Sequence, residues 1–172
     1  MYACLFTDSH VRIPFDEFTM GILRTPNVAP TQLHPNSWAS LRVFHILAEM
    51  FRLKPSPYVF LHFYNSRLAW SVRWLSLISQ SGVALFTSFC LSYKYFKNVF
   101  FKIIISPGGR HYFFNGDTRK FPLYWTRDSV HYLSWSRSFV TGNDKKIFDI
   151  LDQFPWRLPI SNILKLFLSS QR

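Results

Sequence analysis

The sequence has few of the residues from which common catalytic and metal sites are built. Its two cysteines, Cys4 and Cys90, are too few for a disulfide framework and have no zinc-ligand neighbours at a workable spacing. Its six glycines form no glycine-rich phosphate loop, and neither a nucleophile elbow nor an HExxH pair occurs. We therefore expect no cofactor, no metal and no small-molecule substrate. The scarcity of cysteine favours a reducing intracellular compartment, either nucleus or cytoplasm.

Acidic residues are also scarce, with nine Asp and Glu in the whole chain. Metal-dependent transposases and integrases need three carboxylates that converge on two divalent ions. Glu49 is the only Glu after residue 17, so an order of Asp, Asp and then Glu could use only Asp8 and Asp16. Those two lie too near the N-terminus for a nuclease core. We predict that the chain is not an enzyme, and we interpret His45 as a packed or hydrogen-bonded residue at the edge of the core rather than a base.

The N-terminus lacks the pattern of a secretory signal, and membrane association is not expected. The run from Trp74 to Tyr93 has the length of a spanning helix and no formal charge. It also contains five serines, one threonine and a central Gln80-Ser81-Gly82, which would place many polar groups in hydrocarbon. The same residues suit a hairpin with Gly82 at its turn.

Apolar residues make up 48% of the chain and aromatic residues 19%, which is ample material for a packed core. A length of 172 residues favours one globular domain over 1–172, which could be a piece of a longer protein. The surplus of aromatic residues suggests contacts with other protein chains. A formal net charge of +11 favours polyanions, nucleic acid first among them, although such a charge can also serve solubility alone.

Hydrophobic spacing predicts an α+β fold with N-terminal helices, a central antiparallel β-meander and C-terminal helices. Helices are expected from Val11 to Thr25, from Asn36 or Ser37 to Phe51, and from Pro57 to Phe63. Helices return at Asn143 and at Ser161. The strands of the meander are predicted at Trp74–Ser79, Val83–Phe89, Phe100–Ser106, His111–Phe114 and Phe121–Trp125, with reversals at Pro107-Gly108-Gly109 and Asn115-Gly116-Asp117.

The string Ala29–Trp38 joins two prolines, a cap and a helix start. Pro30 and Pro35 restrict the loop, Asn36 or Ser37 can cap the following helix, and Trp38 would anchor that helix in the core. We predict that this string is a structural joint.

This string also carries a family resemblance. Together with Arg12–Phe18 (RIPFDEF) it resembles the N-terminal part of the plant "putative gypsy-type transposon" domain of retroelement-derived proteins. The resemblance extends to the Lys94–Phe101 block, to Pro107–Phe114 and to Phe121–Thr126. It implies an origin in a retroelement and does not specify a reaction.

Cations and aromatic rings alternate between residues 93 and 121, a combination that can neutralise phosphates while bases stack. The predicted nucleic-acid-binding residues are Lys94, Lys97, Lys102, Arg110, Arg119 and Lys120, and the predicted stacking residues are Tyr93, Tyr95 and Tyr112. A half-buried sheet with its rings inward and its cations outward would show the same pattern.

These observations predict a non-catalytic, retroelement-derived domain that acts in interaction or assembly, with nucleic acid as a candidate partner. Two alternatives remain open at this stage. One is an enzyme that processes DNA during transposition, and the other is a degenerate element fragment without a selected function.

Overall fold

The computed structural model describes residues 1–69, 74–87, 98–131, 136–140, 142–154, 157–163 and 165. Short helices come first, a β-hairpin follows, and helix returns near the C-terminus, which confirms the α+β class. The helices are α1 Cys4–Thr7, α2 Glu17–Arg24, α3 Pro35–Met50, α4 Pro57–His62, α5 Arg110–Phe113 and α6 Asn143–Leu151. The strands are β1 Tyr64–Ala69, β2 Trp74–Ser79, β3 Phe114–Asn115 and β4 Thr118–Arg119, and two 3₁₀ turns span Pro107–Gly109 and Arg137–Phe139.

The central helix α3 begins two or three residues earlier than a cap at Asn36 or Ser37 predicts. Pro35 occupies its first turn, where a missing N–H costs nothing, and His34 is the cap. The His34 imidazole Nδ1 accepts a hydrogen bond of 3.2 Å from the backbone N–H of Asn36. The expected cap at Asn36 or Ser37 is therefore wrong, because proline at the first helical position moves the helix start upstream.

Of the other N-terminal helices, α4 follows its prediction closely, α2 begins six residues later than predicted, and α1 was not predicted. Asp16 caps α2 through a 2.7 Å hydrogen bond from the Thr19 N–H, so this helix is shorter than the predicted segment from Val11. Ser56 caps α4, with Pro57 in its first turn as predicted. The Phe18, Phe44 and Phe60 rings of α2, α3 and α4 are buried, but Phe51 lies just beyond α3 and is 41% exposed.

The predicted meander is smaller than the sequence pattern suggests. β2 pairs with β1, from Tyr64↔Ser79 to Ala69↔Trp74, so the main hairpin precedes Gly82 instead of turning at it. Residues 110–113 are helical because the 3₁₀ turn at Pro107 continues into α5. The reversal at Asn115-Gly116-Asp117 is confirmed between β3 and β4, with Gly116 at φ +58°.

Besides the helical segment 110–113, three further predicted strands do not form in the described residues. Phe86 makes a single bridge to Leu158, and Phe100 makes a single bridge to Tyr2. Residues 121–125 form no strand, since Pro122 has no N–H to contribute to a ladder. The part of the predicted strand at residues 88–89 lies outside the described residues.

One hydrophobic core collects side chains from both halves of the chain. The Phe44 ring lies 5.5 Å from Phe18 and 5.3 Å from Phe60, and Phe60 stacks on Tyr64 at 4.6 Å. Phe121, Phe148 and Ile160 from the second half are buried in the same cluster. The C-terminal helices are present as α6 and at residues 160–163, while Leu164, Leu166 and Phe167 lie outside the described residues. Among the described helices, none has the length and apolar content needed to cross a membrane.

Candidate nucleic-acid interface

Two arginines and two aromatic rings alternate along one surface of the second half of the chain. The Arg110 guanidinium lies 4.2 Å from the centroid of the Phe114 ring. Phe114 pairs with Arg119 across the β3–β4 hairpin, and the Arg119 guanidinium lies 5.3 Å from the Tyr124 ring centroid. Cations held over ring faces keep their charge at the surface. The short hairpin thus places two cations within reach of one exposed tyrosine.

Tyr124 contributes to the lining of two grooves and one pocket, and it is 71% exposed. The arginine groove, of about 690 Å³, is lined by Arg24, Arg119 and Arg127 together with Tyr124 and Trp125. The lysine groove, of about 540 Å³, is lined by Lys102 and Arg110 on the other side of the same tyrosine. The apolar pocket, of about 270 Å³, also has Tyr124 and Lys102 in its lining.

The carboxylates near these grooves offset part of the positive charge. Asp117 pairs with Arg110 at 3.1 Å, and Glu17 pairs with Arg24 at 3.4 Å, but all four side chains are at least half exposed. Exposed ion pairs are weak in water. A phosphate can therefore compete for either arginine. Asp128 is the acidic residue in the lining of the arginine groove.

A buried glutamine holds the aromatic wall of the arginine groove in place. The Gln32 side-chain oxygen accepts hydrogen bonds from the N–H of Ala29 at 3.0 Å and of Thr126 at 2.9 Å. Its amide nitrogen donates to the Thr126 carbonyl at 2.9 Å. Trp125 Nε1 donates to the Thr31 hydroxyl at 2.7 Å. The 29–38 string thus anchors the segment that carries Tyr124 and Trp125.

The structure brings together three of the six cations that the sequence singles out. Lys102, Arg110 and Arg119 are exposed and line the two grooves around Tyr124. Lys120 is partly buried and lines neither groove, and Tyr112 is 45% exposed and lines neither groove. The remaining predicted residues, Lys94 and Lys97 with Tyr93 and Tyr95, lie outside the described residues, and their role stays a prediction.

Tyr124, Trp125, Arg24 and Arg127 also line this surface, and sequence reasoning did not select them. Tyr124 and Trp125 were assigned to a strand, where alternation would have turned one of them inward. Pro122 was the signal against that assignment, because it prevents regular pairing and leaves the segment as an exposed loop. Arg24 is distant in sequence and has no local signal.

The predicted joint contacts this surface from the core side. Trp38 is 2% exposed, and its Nε1 donates to the Pro30 carbonyl at 3.2 Å. Ser37 does not cap the helix; its hydroxyl accepts a 2.9 Å hydrogen bond from the Leu77 N–H of β2. Asn36 contributes the N–H that the His34 cap accepts. The joint therefore connects α3, β2 and the aromatic wall.

A second polar cluster lies in a cleft of about 190 Å³ between the start of α2 and the side of α3. His45 Nε2 is 2.6 Å from Asp16 Oδ2, and its Nδ1 is 3.2 Å from Glu49 Oε1. Burial alone would raise the pKa of Asp16, but hydrogen bonds from His45 and Thr19 outweigh burial and lower that pKa to about 2. Arg12 and Arg42 also line the cleft.

The imidazole in this cleft bridges two carboxylates. With one carboxylate beside each ring nitrogen, His45 connects the cap of α2 to the last turns of α3. The hydrogen bond from Nε2 to Asp16 agrees with the hydrogen-bonded role expected for His45, and the expectation that His45 is not a base stays a prediction. Within the described ranges, no group of three or more His, Cys, Asp or Glu side chains has an arrangement that could hold a metal ion.

Comparison with protein-family models matched residues 4–68 to the family described as "Putative gypsy type transposon". Neither the curated proteins nor the solved structures gave a match. The matched segment runs from α1 into β1 and includes the 29–38 string and the Asp16–His45–Glu49 cluster. The match does not reach the blocks beyond residue 68 to which the sequence resemblance was expected to extend. The similarity to the family of putative gypsy-type transposon proteins is therefore shown for residues 4–68 of this chain.

Proposed function

We propose that the chain is a non-catalytic interaction domain of retroelement origin that binds nucleic acid without sequence specificity through the arginine and lysine grooves. The observation that carries this proposal is the meeting of both grooves at Tyr124, with Lys102, Arg110 and Arg119 exposed around one accessible ring. A cation track beside exposed rings can neutralise phosphates and stack bases.

The overall charge supports the same partner. A net charge of +11 attracts polyanions from solution, and the grooves would supply the local contacts. Within these grooves the described side chains offer guanidinium, ammonium and aromatic groups. Such groups contact backbone phosphate and ring faces, which every sequence has, so the expected binding is non-specific. An intracellular location, in nucleus or cytoplasm, belongs to the same proposal.

The direct test measures binding of a labelled oligonucleotide by fluorescence anisotropy over a series of salt concentrations. Three phosphate contacts would give a log–log salt slope of about −2.7 on duplex DNA and about −2.1 on single strands. The triple variant Lys102→Gln, Arg110→Gln, Arg119→Gln should flatten the slope by up to those amounts, because each lost contact removes one set of released counterions.

A matched variant separates the grooves from bulk charge. Lys145, Lys146 and Lys165 are exposed and line neither groove, and neutralising all three removes the same charge. The proposal expects this control to keep the slope of the parent protein. Equal flattening in both triple variants would show that net charge alone drives binding. No binding at low salt would leave assembly with other protein chains as the better account of the aromatic surplus.

The non-catalytic part of the proposal has its own test. Purified protein incubated with DNA and either Mg²⁺ or Mn²⁺ should leave the strands intact, and neither ion should change the melting temperature. Tight binding of these ions needs several convergent oxygen ligands. Metal-dependent cleavage that disappears in an Asp16→Asn or Asp128→Asn variant would establish the alternative, an enzyme that processes DNA.

A further inference from the structure

We infer that the apolar pocket beside Tyr124 receives one unpaired base of a single strand whose phosphates lie in the adjoining grooves. This inference rests on the proposed function and specifies the class of nucleic acid: single-stranded rather than duplex. The pocket of about 270 Å³ is near the lower end of ligand pockets, which run from about 300 to 1,000 Å³. Its size suits one ring system and not a helix or a strand of protein.

The walls of the pocket have the chemistry that a base face requires. The Phe15 and Phe121 rings contribute to its lining, with centroids 5.4 Å apart, and both side chains are buried in the core. Ile105 and Leu123 add aliphatic surface. Flat heteroaromatic rings bind such surfaces by stacking and by removing apolar area from water.

The rim of the pocket supplies charge and polar contacts. Lys102 lines both the lysine groove and the pocket, so one ammonium can meet the phosphate of the nucleotide whose base enters. The Thr31 hydroxyl accepts the hydrogen bond from Trp125 and, like any hydroxyl, has one proton to donate to a base edge. This complementarity of charge selects a nucleotide over an uncharged apolar ligand.

The pocket lies beside both grooves. Tyr124 lines the pocket and both grooves, so a strand that follows the cations must pass the mouth of the pocket. A base in a duplex is stacked and paired, and it can enter only after costly extrusion. An unpaired base enters without that cost.

The experiment compares three labelled probes of about 15 nucleotides, which is near the upper end of the site size of one binding fold. The probes are an oligo(dT) strand, the same backbone carrying abasic sites, and the dA·dT duplex. We expect oligo(dT) to bind most tightly. The abasic strand should lose affinity while its salt slope stays the same, since its phosphates are unchanged.

Three variants locate the effect in the pocket. Tyr124→Ala should weaken oligo(dT) binding by between about five-fold and 150-fold, the equivalent of one lost stacking contact, and should weaken duplex binding less, because a paired base cannot stack on the ring. Tyr124→Phe keeps the ring and should bind like the parent. Ile105→Trp should fill the pocket and produce the same loss as Tyr124→Ala, and its circular dichroism spectrum shows whether it is folded.

The outcomes distinguish the two proposals. Equal, salt-dependent binding of all three probes, or an equal loss on strand and duplex in Tyr124→Ala, would overturn the base pocket and leave the non-specific grooves standing. A complete lack of binding to every probe would overturn the proposed function together with the pocket.

Discussion

At the scale of single residues, Trp38 is the side chain on which the 29–38 string depends. It is 2% exposed, lies 5.5 Å from the Phe15 ring and donates to the Pro30 carbonyl. Trp38→Ala should lower the free energy of unfolding by about 3–5 kcal/mol, the range for a large core ring reduced to a methyl group. Chemical denaturation measures this loss. Trp38→Phe keeps most of the ring and should cost less, and an alanine variant as stable as the parent would show that the string has no anchoring role.

The lowered pKa of Asp16 predicts that the free energy of unfolding falls at acid pH. Its pKa is about 2 in the folded protein against 3.8 as the reference value, so the unfolded chain takes up its proton first as pH falls. The stabilisation is therefore complete above about pH 4 and is lost as pH falls through about 2. Asn can still cap α2, so Asp16→Asn removes mainly the charge facing His45.

The measurement for Asp16 is urea denaturation between pH 2 and pH 7. The variant should be less stable than the parent at neutral pH, by under about 1 kcal/mol because the pair is partly exposed, and the difference should shrink below pH 4. Asp152, whose pKa the Arg137 hydrogen bonds lower, titrates in both proteins and cancels from the comparison. A difference that stays constant with pH would contradict the His45 contact.

At the scale of elements, Gly21 controls how closely α2 approaches α4. A Cβ at this position would lie 2.5 Å from Cγ of Pro57, whose ring cannot swing away. Gly21→Ala should therefore destabilise the protein by about 1–3 kcal/mol through overpacking, although alanine favours helix by about 1 kcal/mol. Thermal melting tests this. Gly108→Ala is the control, because nothing lies within 4 Å of the new methyl group. A Gly21→Ala variant that melts at or above the temperature of the parent protein would show that α2 and α4 can move apart without loss of stability.

The sequence predicted elements where local chemistry decides the structure. The helix start at Pro57 and the turn at Gly116 follow from side chains within a few residues, and the structure shows both, whereas the cap at Asp16 shortens the helix predicted from Val11. The sequence did not reveal that β1 pairs with β2, because this pairing depends on tertiary packing that no local pattern encodes. The same limit applies to the candidate site. Arg110 and Arg119 were found from their local pattern, whereas Tyr124 joins them through contacts that depend on the folded loop.

At the scale of the whole molecule, the hydrophobic core extends beyond the segment that matches the family, which ends at residue 68. β1 ends at Ala69, yet it pairs with β2, and the core takes Leu75, Phe121 and Phe148 from later segments. A fragment of residues 1–69 should therefore lack cooperative unfolding, because it would expose apolar surface that the second half covers. Circular dichroism during thermal melting of the fragment and the full chain checks this. A sharp transition in the fragment would show that the matched segment is a domain in itself.

The Gln32 side chain makes hydrogen bonds to the backbone of a loop residue that resemble those between paired strands. Its side chain meets both the N–H and the carbonyl of Thr126, as a neighbouring strand would, although Thr126 belongs to no helix or strand. The Thr126 amide should therefore exchange slowly with deuterated solvent, while the exposed loop around it exchanges fast. Gln32→Leu removes the oxygen that accepts the hydrogen bond from the Thr126 N–H and should release that amide. The exchange rate of the Thr126 amide proton would then measure, without any ligand present, how often the segment that carries Tyr124 and Trp125 separates from Gln32.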